Sequence, residues 1–427
     1  MQQRTPFPPV FWVANLIEVL ERFAYYGIYF SFGIYMTSLG YSRDQLGVIQ
    51  TIFLLLSYTI PLLSGTFADR YGFKKVLIVS YLAYLPSILL LILTQSFTGI
   101  ALTMLSIGLA AGIFKPLVSG TVRAVTDRTN TSLGFGIFYA MVNVGGSFGP
   151  LVAGKLRAIE WNYAFYASAA YIVVMLIITI LFYKEPPREA SETTLKDKFK
   201  EIGVALSDVK FSTFLFLLGI FFWIPFWAFF NLCALYVDRS VDTAQLYLTL
   251  KGVFGSHVAD FLSHDEDGVR KILGETISHT GYIIMIVQIF ISRIFEKFRP
   301  IPSFLFGLFV AACGFVVLGL AAAGAPALVF LGIFLFAVGE MISSPRIQEY
   351  ITWIAPKEKA GLYMGANFLA TAIGAFSGLI YTPLYGKFDD AGHAGYVWFV
   401  LAAHMIISIV GMHLFMKTVG EFTQQEE

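Results

Sequence analysis

The chain has 427 residues, of which 57% are hydrophobic, 16% aromatic and only 13% charged. Soluble domains carry about 25% charged residues, and the mean hydropathy of +0.72 points to a polytopic membrane protein. A net charge of +1 argues against nucleic acid as a partner, and with two cysteines inside apolar segments, Cys233 and Cys313, neither a disulfide framework nor a metal site is expected.

About 20 apolar residues span a bilayer. Twelve such segments are expected, beginning near Val10, Leu46, Val76, Gly99, Leu133, Tyr163, Phe211, Ile277, Ile301, Ala327, Leu362 and Tyr396. The first carries Glu18-Val-Leu-Glu21-Arg22-Phe-Ala-Tyr25-Tyr26-Gly27 in its middle. At helical spacing, positions 18, 21, 22, 25, 26 and 29 form one stripe about 140° wide. A charge at that depth costs about 2.5–3.5 kcal/mol, so such residues line a pathway or cavity. A buried ion pair that only locks helices together is the bland alternative.

With both termini cytoplasmic, the inner loops collect most of the lysine and arginine. They include Arg70, Lys74 and Lys75 after segment two, Lys184 to Lys210 after segment six, and Arg293, Lys297 and Arg299 after segment eight. That bias sets the orientation. Residues 1–183 then form one six-helix bundle and 211–427 a second. The stretch 184–210, opening Lys-Glu-Pro-Pro-Arg-Glu, is a cytoplasmic linker. An outer loop at about 238–276 contains Leu246-Tyr-Leu-Thr-Leu and Val269-Arg-Lys-Ile-Leu, which suggest a short interfacial helix. The basic loops after segments two and eight repeat weakly. Repeated halves joined by a linker are the architecture of alternating-access carriers.

Lys115 sits in segment four beside Pro116. A buried lysine needs an anion or it loses its proton, so its partner is expected to be the carboxylates of segment one or a substrate; snorkelling to the interface is the alternative. Glu340 is the only acid deep in the second half, with Ser343 and Ser344 on nearby turns. Asn143 shares a helical face with Tyr139, Gly146, Ser147 and Pro150. No nucleophile–base set, metal cluster or cofactor loop is present, so an enzyme is not expected and no cofactor is implied.

Gly65-Thr-Phe-Ala-Asp69-Arg70-Tyr-Gly72-Phe-Lys74 closely resembles the G-x-x-x-D-R-x-G-x-K/R signature of the major facilitator superfamily. Segment one matches the E-x-x-E-R-F-x-Y-Y-G motif of proton-coupled oligopeptide transporters at every fixed position. Gly112-Ile-Phe-Lys115-Pro116-Leu-Val-Ser119, Phe138-Tyr139-Ala-Met-Val-Asn143-Val-Gly145-Gly146, and Gly339-Glu340-Met-Ile-Ser-Ser344-Pro345 followed by Ala355-Pro356 are similar to three further motifs of that family.

The resemblance implies an all-α major facilitator fold, a proton role for Glu18, Glu21 and Arg22, and a cytoplasmic gate at Asp69 and Arg70. It implies that Glu340 receives a substrate amine with Asn143 beside it. Tyr25, Tyr26 and Tyr58 match family positions. The departures are Tyr29 where the family has an arginine, and Trp227-Ala-Phe-Phe-Asn231 where it has an acid. His279 replaces a usual asparagine, and two extra helices common in bacterial members are absent.

The expected function is proton-coupled import of a small zwitterionic, peptide-like or amino-acid-like solute by a monomer in a bacterial inner membrane. Its partners are the substrate, protons and the lipid bilayer. The alternative is proton-driven export of amphipathic or cationic compounds, for which Gly145-x-x-x-Gly149-Pro150-x-x-x-Gly154 resembles the glycine–proline motif of drug antiporters.

Overall fold

The computed structural model describes residues 5–127, 129–186, 195–354 and 360–419. Arg4, Arg128, Arg188, Lys357, Lys359, the Ala355-Pro356 pair and linker residues 187–194 lie outside the described residues. Eleven helical stretches among the described residues are long and apolar enough to cross a membrane. The first helix, α1 (Pro9–Ser38), is 30 residues long but carries the three charges of segment one and is not among the eleven.

In chain order there follow α2 (Arg43–Thr59), α3 (Pro61–Tyr71), α4 (Phe73–Leu93), α5 (Phe97–Ala124), α6 (Thr131–Arg157) and α7 (Trp161–Phe182). Pro61, which has no N–H to give, separates α2 from α3 within one span of 29 residues. Gly72, at φ 98°, makes the turn into α4. The first-turn amides that open α4 have no intrahelical acceptor and are satisfied by Glu185, whose carboxylate accepts from Phe73 N at 2.7 Å and Lys74 N at 2.9 Å.

Next come α8 (Leu195–Leu206), α9 (Val209–Leu218), a π-turn at Gly219–Trp223 and α10 (Ile224–Ser240). The last three form one span, and a π-turn of this kind often marks a functional position. The stretch 238–276 holds more than the single helix expected. Its first apolar run lies in α11 (Thr243–Phe254), followed by α12 (Ser256–Leu262). Its second run, Val269–Ile272, is the strand β2, paired antiparallel with β1 (Ser263–Glu266). The cause is Asp267-Gly268, both at positive φ (54° and 82°), a two-residue turn chemistry that favours hairpins over helix.

A short turn, α13 (Gly274–Ile277), leads to α14 (Gly281–Phe295), α15 (Pro300–Ala321), α16 (Leu328–Ile354), α17 (Ala360–Ile373), a 3-10 turn at Gly374–Phe376, α18 (Ser377–Asp390) and α19 (Tyr396–Thr418).

The chain divides into two compact units, Met1–Tyr35 with Ile52–Lys200, and Met36–Thr51 with Glu201–Glu427. Helices in lipid gain little from hydrophobic contrast, so close backbone approach and interhelical hydrogen bonds hold them. In the first unit Ser80 Oγ donates to Ala110 O at 2.9 Å and Ser64 Oγ to Gly112 O at 3.2 Å.

In the second unit, α15 and α16 meet at facing glycines; a Cβ on Gly339 would fall 2.6 Å from Gly307 O. Phe229 stacks on Phe336 at 3.8 Å, with Phe315 and Trp398 around them. Also in that unit, Gln50 Nε2 donates to Asn231 O at 3.1 Å, and Gln50 Oε1 accepts from Thr382 at 2.7 Å.

Candidate functional site

The charges of α1 are buried and joined. Glu18 and Glu21 have no exposed surface and Arg22 has 6%. Arg22 Nε donates to Glu18 Oε1 at 2.7 Å, one helical turn away, and Nη1 lies 3.2 Å from Glu21 Oε2. The guanidinium therefore reaches both carboxylates rather than neutralising only one. Tyr84 of α4 adds a fourth member, its hydroxyl donating to Glu21 Oε1 at 2.6 Å. Glu18 Oε2 has no hydrogen-bond partner among the described residues. The cluster brings together two carboxyl groups and one guanidinium.

The neighbouring helix is shaped to admit it. A Cβ on Gly145 of α6 would fall 2.4 Å from Arg22 Cβ, and one on Gly149 would fall 2.8 Å from Phe23 Cα. The glycines of α6 thus bring its backbone against the charged turn of α1. Within the first unit they have a packing role, which weakens their value as a sign of export.

Lys115 forms the second feature of this unit. Its Nζ donates to Ser57 O at 3.2 Å and lies 3.7 Å from the Tyr58 ring centre and 4.9 Å from that of Tyr25. No carboxylate among the described residues comes within ion-pair distance of it. Its Nζ is met by a carbonyl and two aromatic faces. Tyr25 also packs edge-on against Tyr26 and stacks with Tyr29, and Arg22 lies 5.8 Å from the Tyr26 ring centre. Asn143 donates to Tyr139 O, one turn back on its own helix, at 2.9 Å.

The second unit holds the remaining candidates. Glu340 is half-buried on α16. It accepts a hydrogen bond from the Thr280 hydroxyl, while its Oε2 has no hydrogen-bond partner among the described residues. Ser343 is turned away, donating to Phe304 O at 3.1 Å, and Ser344 is half-buried one position further. His279 precedes α14 with its ring 4.6 Å from that of Tyr282. Trp227 is buried beside Phe226 and Phe230. A Cβ on Gly374 would fall 2.6 Å from Trp227 Cδ1, so the indole lies against the 3-10 turn. Asn231 Nδ2 donates to Ser377 Oγ at 3.0 Å.

Asp69 and Arg70 are exposed in the last turn of α3. Sequence reading missed Tyr84, Ser57 and Thr280 as partners of the charged groups. Ser80, Tyr81, Tyr84 and Ser87 do lie at helical spacing on one face of α4, which is the signal that marks Tyr84.

A family model described as Major Facilitator Superfamily matches residues 14–379. The chain belongs to the major facilitator superfamily. It is a multi-pass integral membrane transporter of that superfamily, and the resemblance read from its sequence holds.

Among solved structures, a POT family transporter in complex with a thioalcohol conjugated peptide superposes with a TM-score of 0.74 at 19% identity, with 96% of each chain covered. The nucleoside transporter NupG superposes at 0.73 and 11% identity, over 95% of this chain and 99% of that one. Likeness at such identities shows the fold.

Among curated sequences, the quinolone resistance protein NorA of Staphylococcus aureus is 23% identical over 158 residues, 37% of this chain. The match spans only 41% of NorA's own length. A Na(+), Li(+), K(+)/H(+) antiporter of Planococcus maritimus is 22% identical over 393 residues, 86% of this chain and 87% of that protein.

Proposed function

We propose that this superfamily member is a proton-coupled symporter that imports a small zwitterionic solute, peptide-like or amino-acid-like, by alternating access. Its two halves are residues 1–183 and 211–427, each of six spans, joined by 184–210, with both termini cytoplasmic in a plasma membrane. One observation carries the reading: a buried cluster of two carboxylates and one guanidinium on α1, linked to Tyr84. With both carboxyls ionised, these three groups carry one negative charge more than Arg22 neutralises in a buried place. Binding one proton balances it, and losing that proton to the other side moves it across the membrane.

Lys115 is the anion-accepting group, since among the described residues its ammonium directly meets a carbonyl and two aromatic faces and no carboxylate lies within ion-pair distance. Glu340 is the cation-accepting group, with one oxygen lacking a hydrogen-bond partner among the described residues. Tyr25, Tyr26, Tyr29, Tyr58, Asn143, Trp227, Asn231, His279 and Ser344 are proposed as further substrate-side residues. Asp69 and Arg70 are proposed as a cytoplasmic gate.

These roles separate in a binding measurement on purified protein with dialanine and its end-blocked forms. A hydrogen bond to a charged group contributes about 1.5–3 kcal/mol, or roughly 10- to 100-fold in affinity. Lys115→Ala is expected to lose that factor for dialanine and to leave the C-terminally amidated form unchanged. Glu340→Gln is expected to lose it for dialanine and not for the N-acetylated form. Equal losses for free and blocked ligands would remove both residues from direct contact.

A second reading is proton-driven export of amphipathic cations. The similarity to NorA and to the cation antiporter favours it, as does the aromatic surround of Trp227 without an acid. On that reading the protein binds tetraphenylphosphonium through Glu340 and does not bind dialanine.

A further inference from the structure

The insert between α10 and α14 separates its charge from its apolar surface. Its β-hairpin carries paired charges: Lys271 Nζ lies 2.9 Å from Glu266 Oε2, and Arg270 faces Asp265 at 3.9 Å. The junction of α11 and α12 is the opposite. Gly252 and Gly255 bracket Val253 and Phe254, which are 68% and 65% exposed, and Phe261 on α12 is 50% exposed. Lys251 and His257 flank this tip, and Lys251 has no ion-pair partner among the described residues.

Leu246, Tyr247 and Leu250, one to two turns earlier on the same face of α11, are buried. The insert is also closed on itself, since Thr276 Oγ1 donates to Leu262 O at 3.1 Å. The apolar tip is thus left over after the insert has packed.

We infer that the α11–α12 tip is a membrane-interface anchor, in which Val253, Phe254 and Phe261 enter the headgroup–acyl boundary of the surrounding bilayer and Lys251 meets anionic headgroups. Three observations point to lipid as the occupant. Both ends of the insert are ends of membrane spans, Ser240 and Gly274, and α11 reaches only about 18 Å at 1.5 Å per residue, so the tip stays near the surface. The span that follows already presents lipid-type residues, with Ile286, Ile289 and Phe290 all well exposed. Apolar residues beside a cation that has no ion-pair partner among the described residues form the pattern of interfacial helices on anionic membranes, whereas the self-paired hairpin suits water. The inference does not depend on what the protein transports.

The test places a fluorescent NBD label at Phe254→Cys, and separately at Val253→Cys, in a background lacking Cys233 and Cys313. Asp265→Cys on the hairpin is the control. Proteins are reconstituted in phosphatidylcholine–phosphatidylglycerol vesicles. A nitroxide at the top of the acyl chain is expected to quench the tip labels at least threefold more than the hairpin label. Aqueous iodide is expected to show the reverse order. Iodide quenching both sites equally would overturn the proposal by placing the tip in water. A tip shielded from both quenchers would overturn it in favour of a protein partner or a second copy.

Discussion

Replacing Glu18 and Glu21 together by glutamine is expected to abolish gradient-driven accumulation while exchange of substrate continues. The two carboxylates have no exposed surface and share one guanidinium. Isolated buried charge is costly, so the cluster is balanced only when it holds a proton. Glutamine keeps the shape and much of the hydrogen bonding but cannot bind or release that proton. The carrier should still change state with substrate on board, which counterflow in vesicles detects, and should no longer concentrate substrate against a pH gradient. Accumulation at the wild-type level would show that the proton travels elsewhere, with Glu340 and His279 the next groups to replace.

Arg22→Met is expected to be the most destabilising single change in the first unit. It leaves both carboxylates buried, with Tyr84 donating to one of them. Breaking a buried pair by removing one partner costs about 3–5 kcal/mol, because the remaining charge is uncompensated. Thermal unfolding in detergent at neutral pH reads the loss. The triple variant with Glu18→Gln and Glu21→Gln should recover most of it, since no charge is then stranded. If the single variant is as stable as the parent, the cluster is not held by its ion pairs.

Much of this architecture is legible in the sequence because a bilayer imposes it. A span needs about 20 apolar residues, and the helix starts fall within a few residues of the apolar runs. Charged groups such as Glu18, Lys115 and Glu340 stand out in the sequence because lipid tolerates so few of them. Their partners are less visible. Tyr84 and Thr280 carry no charge, and Ser57 contributes only a backbone carbonyl, so nothing in composition singles them out.

The π-turn at Gly219–Trp223 has no sequence mark of its own, since its residues are those of any apolar helix. The hairpin at 263–272 was hidden by its charged strands, although Asp267-Gly268 is a turn pair. Gln50 illustrates a further limit. Its side chain joins Asn231 and Thr382, far apart in sequence, and such contacts follow from packing rather than from local pattern.

Inward, proton-coupled movement of a zwitterion is tested most directly in proteoliposomes with an imposed pH gradient, acidic outside, and radiolabelled dialanine. The account predicts accumulation above the external concentration that collapses with a protonophore and is accompanied by alkalinisation of the outer medium. No accumulation of dialanine or of single amino acids, together with gradient-driven expulsion of preloaded tetraphenylphosphonium under the same polarity, would contradict it and establish the exporter reading.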